Sequence, residues 1–118
     1  MAINDPLTIE RLQGKAPGTR ILRLEGPLTL NNLFPFQAEL RSETPPLTIL
    51  DLAAVPYMDS AGMGAVIAYF VSSGKFGHKL LATGVNYRVL ELFKLSQVDS
   101  LIPMFPTVDD AESATRKT

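Results

Sequence analysis

Between Leu47 and Val71 two apolar runs stand close together, and they leave a chain of this size few folds to choose from. The first, Leu47-Thr48-Ile49-Leu50-Asp51-Leu52, follows the breaker Thr44-Pro45-Pro46. A short, mostly apolar run after such a breaker reads as a strand covered on both faces, the habit of a parallel sheet. The second run, Ala61 to Val71, is interrupted only by Gly62 and Gly64. As a helix it rises about 16 Å, roughly half the hydrocarbon core of a bilayer, so it reads as a buried helix and not a membrane span. With 118 residues, there is room for one domain around one core.

Turn chemistry divides the remainder. Leu7 to Gln13 and Thr19 to Glu25 are rich in β-formers and flank Gly14-Lys15-Ala16-Pro17-Gly18, which predicts an antiparallel hairpin. Gly26-Pro27 stops the second strand. Asn31 or Asn32 can cap a first helix that runs to about Ser42, with Phe34, Phe36, Ala38 and Leu40 as its apolar surface. The second helix runs from Ala61 to about Ser73, with Gly74 as its C-terminal cap. Lys79 to Thr83 forms the next strand. Gly84-Val85-Asn86 leads into a third helix ending near Leu95, with Val89, Leu90, Leu92 and Phe93 buried and Arg88, Glu91 and Lys94 turned away. Leu101 to Phe105 reads as a last short strand and Val108 to Ala114 as a final helix.

The order β-β-α-β-α-β-α-β-α, joined by right-handed crossovers, predicts an α/β domain. Its sheet is mixed and mostly parallel, opens on an N-terminal hairpin, and is packed with about four helices. The domain is expected over 7–114, with tails at 1–6 and 115–118.

A formal net charge of -1 and the lack of any lysine/arginine run exclude a general nucleic-acid binder. There is no cysteine, which removes disulfides and thiolate metal sites. Met1 to Pro6 is polar and lacks the pattern of a secretory signal. A cytoplasmic location away from membranes is therefore expected. No His/Asp/Glu cluster has metal-ligand spacing, and no cofactor is implied.

Chemistry concentrates in Asp51-Leu52-Ala53-Ala54-Val55-Pro56-Tyr57-Met58-Asp59-Ser60-Ala61-Gly62-Met63-Gly64. A buried strand ends, a loop follows, and a helix begins at Asp59-Ser60. Either side chain can accept a hydrogen bond from a free first-turn N–H. Ser60 has two readings. As a cap it contributes about 1 kcal/mol. As a phosphoacceptor it would set its phosphate at the positive end of the helix dipole among free backbone donors. Met58, Met63 and Tyr57 either rim this serine as an adaptable contact surface or belong to the core.

Gly62-Met63-Gly64 suggests a dinucleotide fingerprint, but Ile67 stands where its third glycine belongs. Gly74-Lys75 suggests a phosphate loop, but Tyr69 replaces the preceding glycine and Phe76 the hydroxyl residue. A serine hydrolase built from Ser60, His78 and Asp51 lacks the Gly-x-Ser-x-Gly elbow.

From about Leu7 to Ala114 the chain resembles the STAS domain family, shared by anti-sigma factor antagonists and sulfate-transporter tails. Leu50-Asp51-Leu52 through Met58-Asp59-Ser60-Ala61-Gly62-Met63-Gly64 matches the family signature in type and spacing. Gly84-Val85 through Val89-Leu90-Leu92-Phe93 and Leu95 resembles its third-helix region. The resemblance implies a mixed sheet packed with helices and puts Ser60 at the position phosphorylated in antagonist members. Those members bind an anti-sigma factor that is also their kinase, through the surface around that serine, and the nucleotide belongs to that partner. The corresponding residues here are Met58, Asp59, Ser60, Ala61, Gly62 and Met63, together with Thr29.

Many antagonists carry an acidic residue in a Gly-Glu-Leu-Asp run. Here Gly26-Pro27-Leu28-Thr29 places Thr29 at that carboxylate position, a form more like transporter-tail and other regulatory members. A docking or assembly module of the same fold, free of phosphorylation, is the alternative. A homodimer joined through helix faces would be one form of it.

Overall fold

A computed structural model describes residues 6–116. Of the tails expected at 1–6 and 115–118, residues 1–5 and 117–118 lie outside the described residues. The elements run β1 (Thr8–Gln13), β2 (Thr19–Glu25), α1 (Leu33–Ser42), β3 (Leu47–Ala54), α2 (Ser60–Gly74), β4 (Lys79–Thr83), α3 (Tyr87–Leu95), β5 (Met104–Phe105) and α4 (Val108–Arg116). The five strands lie side by side in sequence order. β1 is antiparallel to β2, and every later pair is parallel. This is the expected single α/β domain with a mixed, mostly parallel sheet and four helices.

Because each crossover advances the sheet by one strand in the same direction, a common hand puts α1, α2 and α3 on one face. Side chains alternate accordingly. Leu22, Leu24, Leu50, Leu52, Leu80 and Ala82 enter the main core beneath those helices. Ile21, Ile49 and Leu81 point to the other face and meet Ala111 and Val108 of α4. The apolar run of β3 is thus covered from both sides.

Arg20 is buried in this framework at 3% exposure, and among the described residues no carboxylate pairs with it. Its guanidinium donates to the carbonyls of Glu39 and Glu43 at the end of α1, both at 3.0 Å. It also donates to Thr48 Oγ1 at 3.1 Å and the Tyr69 hydroxyl at 3.0 Å. Buried charge is tolerable because the negative end of the α1 dipole and two hydroxyls stand in for water.

Five local expectations are corrected. In α3 only Val89 and Phe93 are buried, while Leu90 and Leu92 are half-buried, and the last strand is Met104–Phe105, shorter than the expected run from Leu101. The buried stripe of α1 is Leu33, Phe36 and Leu40, while Phe34 is 71% exposed and Ala38 faces solvent. Spacings of three and four select that face, so residues 34 and 38 fall off it. Gly74 is not a left-handed cap: it ends α2 in the helix proper, and Gly77, with φ +76, reverses the chain before β4. Finally, α4 continues through Thr115 and Arg116, two residues beyond the expected end.

Candidate functional site

The residues between β3 and α2 are fixed by the loop after β2. Leu28 and Met58 form an isolated parallel bridge, with the Leu28 N–H donating to Tyr57 O and the Asp59 N–H donating to Leu28 O, each at 3.2 Å. The second loop is held in turn by Asn32, whose Oδ1 accepts from the Thr29 N–H at 2.9 Å and whose Nδ2 donates to Pro27 O at 2.6 Å. On the other flank, Asn86 Nδ2 donates to the carbonyls of Val55 at 3.0 Å and Pro56 at 3.1 Å. Arg88 stands 5.5 Å from the centre of the Tyr57 ring, within cation–π range.

Asp59 is the N-cap of α2, in an extended backbone conformation. Its Oδ1 accepts from the Gly62 N–H at 2.9 Å, and its Oδ2 accepts from the Leu30 N–H at 3.0 Å. One carboxylate therefore joins the helix start to a loop 29 residues earlier. Of the two caps the sequence allows, Asp59 takes the role and Ser60 does not. Ser60 is the first residue inside α2, and a side chain there points away from the amides that Asp59 already holds.

Gly62 explains how closely these parts approach. A Cβ at this position would lie 2.4 Å from Leu28 O, far inside contact distance. Two residues on, a Cβ on Gly64 would meet nothing within 4 Å. One glycine seats the helix on the loop, and the other leaves its outer surface bare.

The expected contact residues separate into two layers. Ser60 is exposed, with Asp59 and Ala61 half-buried beside it. Met58, Met63 and Thr29 are buried, as is Gly62. The reading of Met58 and Met63 as a rim is thereby corrected to core, because the bridge to Leu28 turns Met58 inward and Met63 faces the sheet. Thr29 supports the site from beneath, and its buried Oγ1 has no hydrogen-bond partner among the described residues. In their place Leu30 and Phe34, 62% and 71% exposed, form the apolar border of the site. The signal for Phe34 in the sequence is its phase, which does not fit the stripe that α1 buries; Leu30 lies in the turn before α1 and has no such signal.

Within 27–32 and 56–64, Asp59 is the sole charged residue. An exposed hydroxyl thus stands at the mouth of a helix of 15 residues that carries no charge of its own. No base is near it. His78 follows the far end of α2, roughly 20 Å away along the helix axis. Asp51 lies on the opposite face of the sheet, paired with Arg23 at 3.1 Å. The imagined Ser60–His78–Asp51 triad does not assemble. Among the described residues no helix is long and apolar enough to cross a membrane.

A family model described as the STAS domain matches residues 14–111. Solved structures share the fold along nearly the whole chain. An anti-sigma factor antagonist from Mycobacterium paratuberculosis superposes with a TM-score of 0.84 at 21% identity, covering 98% of this chain and 97% of that one. A sulfate transporter family protein from Wolinella succinogenes gives 0.73 at 25% identity, covering 89% and 90%. The Bacillus cell fate determinant SpoIIAA, in its phosphorylated form, gives 0.75 at 16% identity, covering 92% and 100%.

Proposed function

This chain belongs to the STAS domain family, and from that premise we propose that it is a regulatory protein of the anti-sigma factor antagonist type. It binds an anti-sigma factor that is also a serine kinase, and phosphorylation of Ser60 switches the binding off. The nucleotide is held by the partner, and the exchange takes place in the cytoplasm. The observation that carries this reading is the exposed Ser60 at the first position of α2. A phosphate there meets the positive helix end and adds about -1.5 to -2 charge to the surface the partner touches. A change of about 3 kcal/mol in docking is over a hundredfold in affinity, enough for a switch.

Incubation with candidate serine-kinase partners and ATP should add the mass of one phosphate, and Ser60→Ala should abolish it. Phosphorylation that persists in the Ala variant overturns the assignment. Ser60→Asp should weaken partner binding while the thermal midpoint stays within a degree or two of wild type. Equal affinity removes the electrostatic gate.

Two observations favour a second reading, a docking module indifferent to phosphorylation. Thr29 occupies the acidic position of many antagonists, and the Wolinella relative belongs to the sulfate transporter family. A stable complex insensitive to both ATP and Ser60→Asp would select it.

A further inference from the structure

Beyond Ser60, the same side of the molecule carries a groove between α1 and α2. It encloses about 260 Å³ and is lined by Leu40, Ala65, Ala68 and the Tyr69 ring, with Gln37 and Arg41 on its rim. Resting on the proposed partner reading, we propose that this groove receives a helix of the anti-sigma partner. That helix inserts one aliphatic side chain and sets a carboxylate one turn away against Arg41.

Three observations, beside the groove's apolar lining, lead to that occupant. The groove's charged lining is purely cationic. Arg41 makes no ion pair among the described residues, whereas nearby Arg11 is engaged by Glu39 and Glu43. The flanks are exposed and apolar, with Phe34 at 71% and Val71 at 52%, more surface than a small acid would cover. Lastly, the groove is continuous with the switch. Ser60, Gly64 and Ala68 follow one another at four-residue spacing on one face of α2, and Phe34, Gln37 and Arg41 share a face of α1. Ala68 lies about 12 Å along the axis from Ser60, well inside the span of a partner burying about 800 Å². Helix-in-groove recognition reads such anchors at one-turn spacing.

The test is a ¹H–¹⁵N NMR titration of the whole chain with an acetylated 15-residue helical peptide carrying one Leu and, four residues on, one Glu. Shifts should concentrate on Gln37, Arg41, Ala65 and Ala68 and spare α4. Replacing the Leu by Ala should weaken binding about tenfold, and Arg41→Gln or a Glu-to-Lys peptide about threefold. Ala68→Leu, which fills the groove from an exposed position, should abolish the shifts while leaving the rest of the spectrum intact. Absence of saturable shifts at millimolar peptide, or shifts centred elsewhere, overturns the proposal. If octanoate reproduces the shifts where the peptide does not, the groove is a small-acid site and the proposal is likewise overturned. The fate of the Ser60 reading is decided separately, by the phosphate mass gain.

Discussion

Gly62→Ala and Gly64→Ala make the same chemical change two residues apart in α2, and the two variants should move stability in opposite directions. At Gly62 the new methyl would sit 2.4 Å from Leu28 O, about 1 Å short of ordinary van der Waals contact. The obstacle cannot swing aside, since Leu28 is backbone fixed by bonds to Tyr57 and Asp59 at 3.2 Å each. Overpacking costs about 1–3 kcal/mol, and loosening one of those bonds about 1 kcal/mol more. Alanine's better helix propensity returns less than about 1 kcal/mol in a first turn. The net loss is about 1–3 kcal/mol, or roughly 5–10 °C in Tm for a domain of this length. At Gly64 the methyl meets open space, so propensity alone acts and stability rises by about 0.5–1 kcal/mol. Scanning calorimetry and urea unfolding of both variants check the pair. Gly62→Ala as stable as wild type, or Gly64→Ala clearly weaker, would refute the claim that the helix is seated on the Leu28 carbonyl.

Three further outcomes are expected, all readable by urea unfolding. Asp59→Ala should cost about 1–3 kcal/mol because it frees two amides, whereas Ser60→Ala should stay within about 0.5 kcal/mol; the reverse ranking would return the capping role to the serine. Thr29→Val should stabilise by about 1 kcal/mol, because it removes a buried hydroxyl with no partner among the described residues. A loss there would mean that the hydroxyl is satisfied. Tyr69→Phe should cost about 1–3 kcal/mol, since the hydroxyl 3.0 Å from the Arg20 guanidinium is lost while the cation remains buried, and an unchanged midpoint would show that Arg20 does not depend on it.

The succession of strands and helices was legible because proline, glycine and asparagine punctuate it at nearly every turn. What local sequence could not decide was set by distant partners. Asp59 and Ser60 are both competent caps, and the choice falls to Asp59 because its second oxygen finds the amide of Leu30, a contact from another part of the chain. Met58 was ambiguous for the same reason: only its bridge to Leu28 fixes which way it faces. Phe34 misled because three apolar residues lie within positions 33–36 of α1, and a helix can bury only those in phase. Ser60 itself was found from the motif, but its exposure came only with the fold.

Arg20 has a kinetic consequence. Its guanidinium grips the carbonyl end of α1 from inside the protein, so that helix cannot slide without stranding a buried cation. The surface bearing Phe34 and Arg41 is therefore assembled before any encounter. Association of the proposed partner with such a rigid face would proceed at about 10⁵–10⁷ M⁻¹s⁻¹ without waiting for rearrangement, and changes at the surface would be felt mainly in how long that complex lasts.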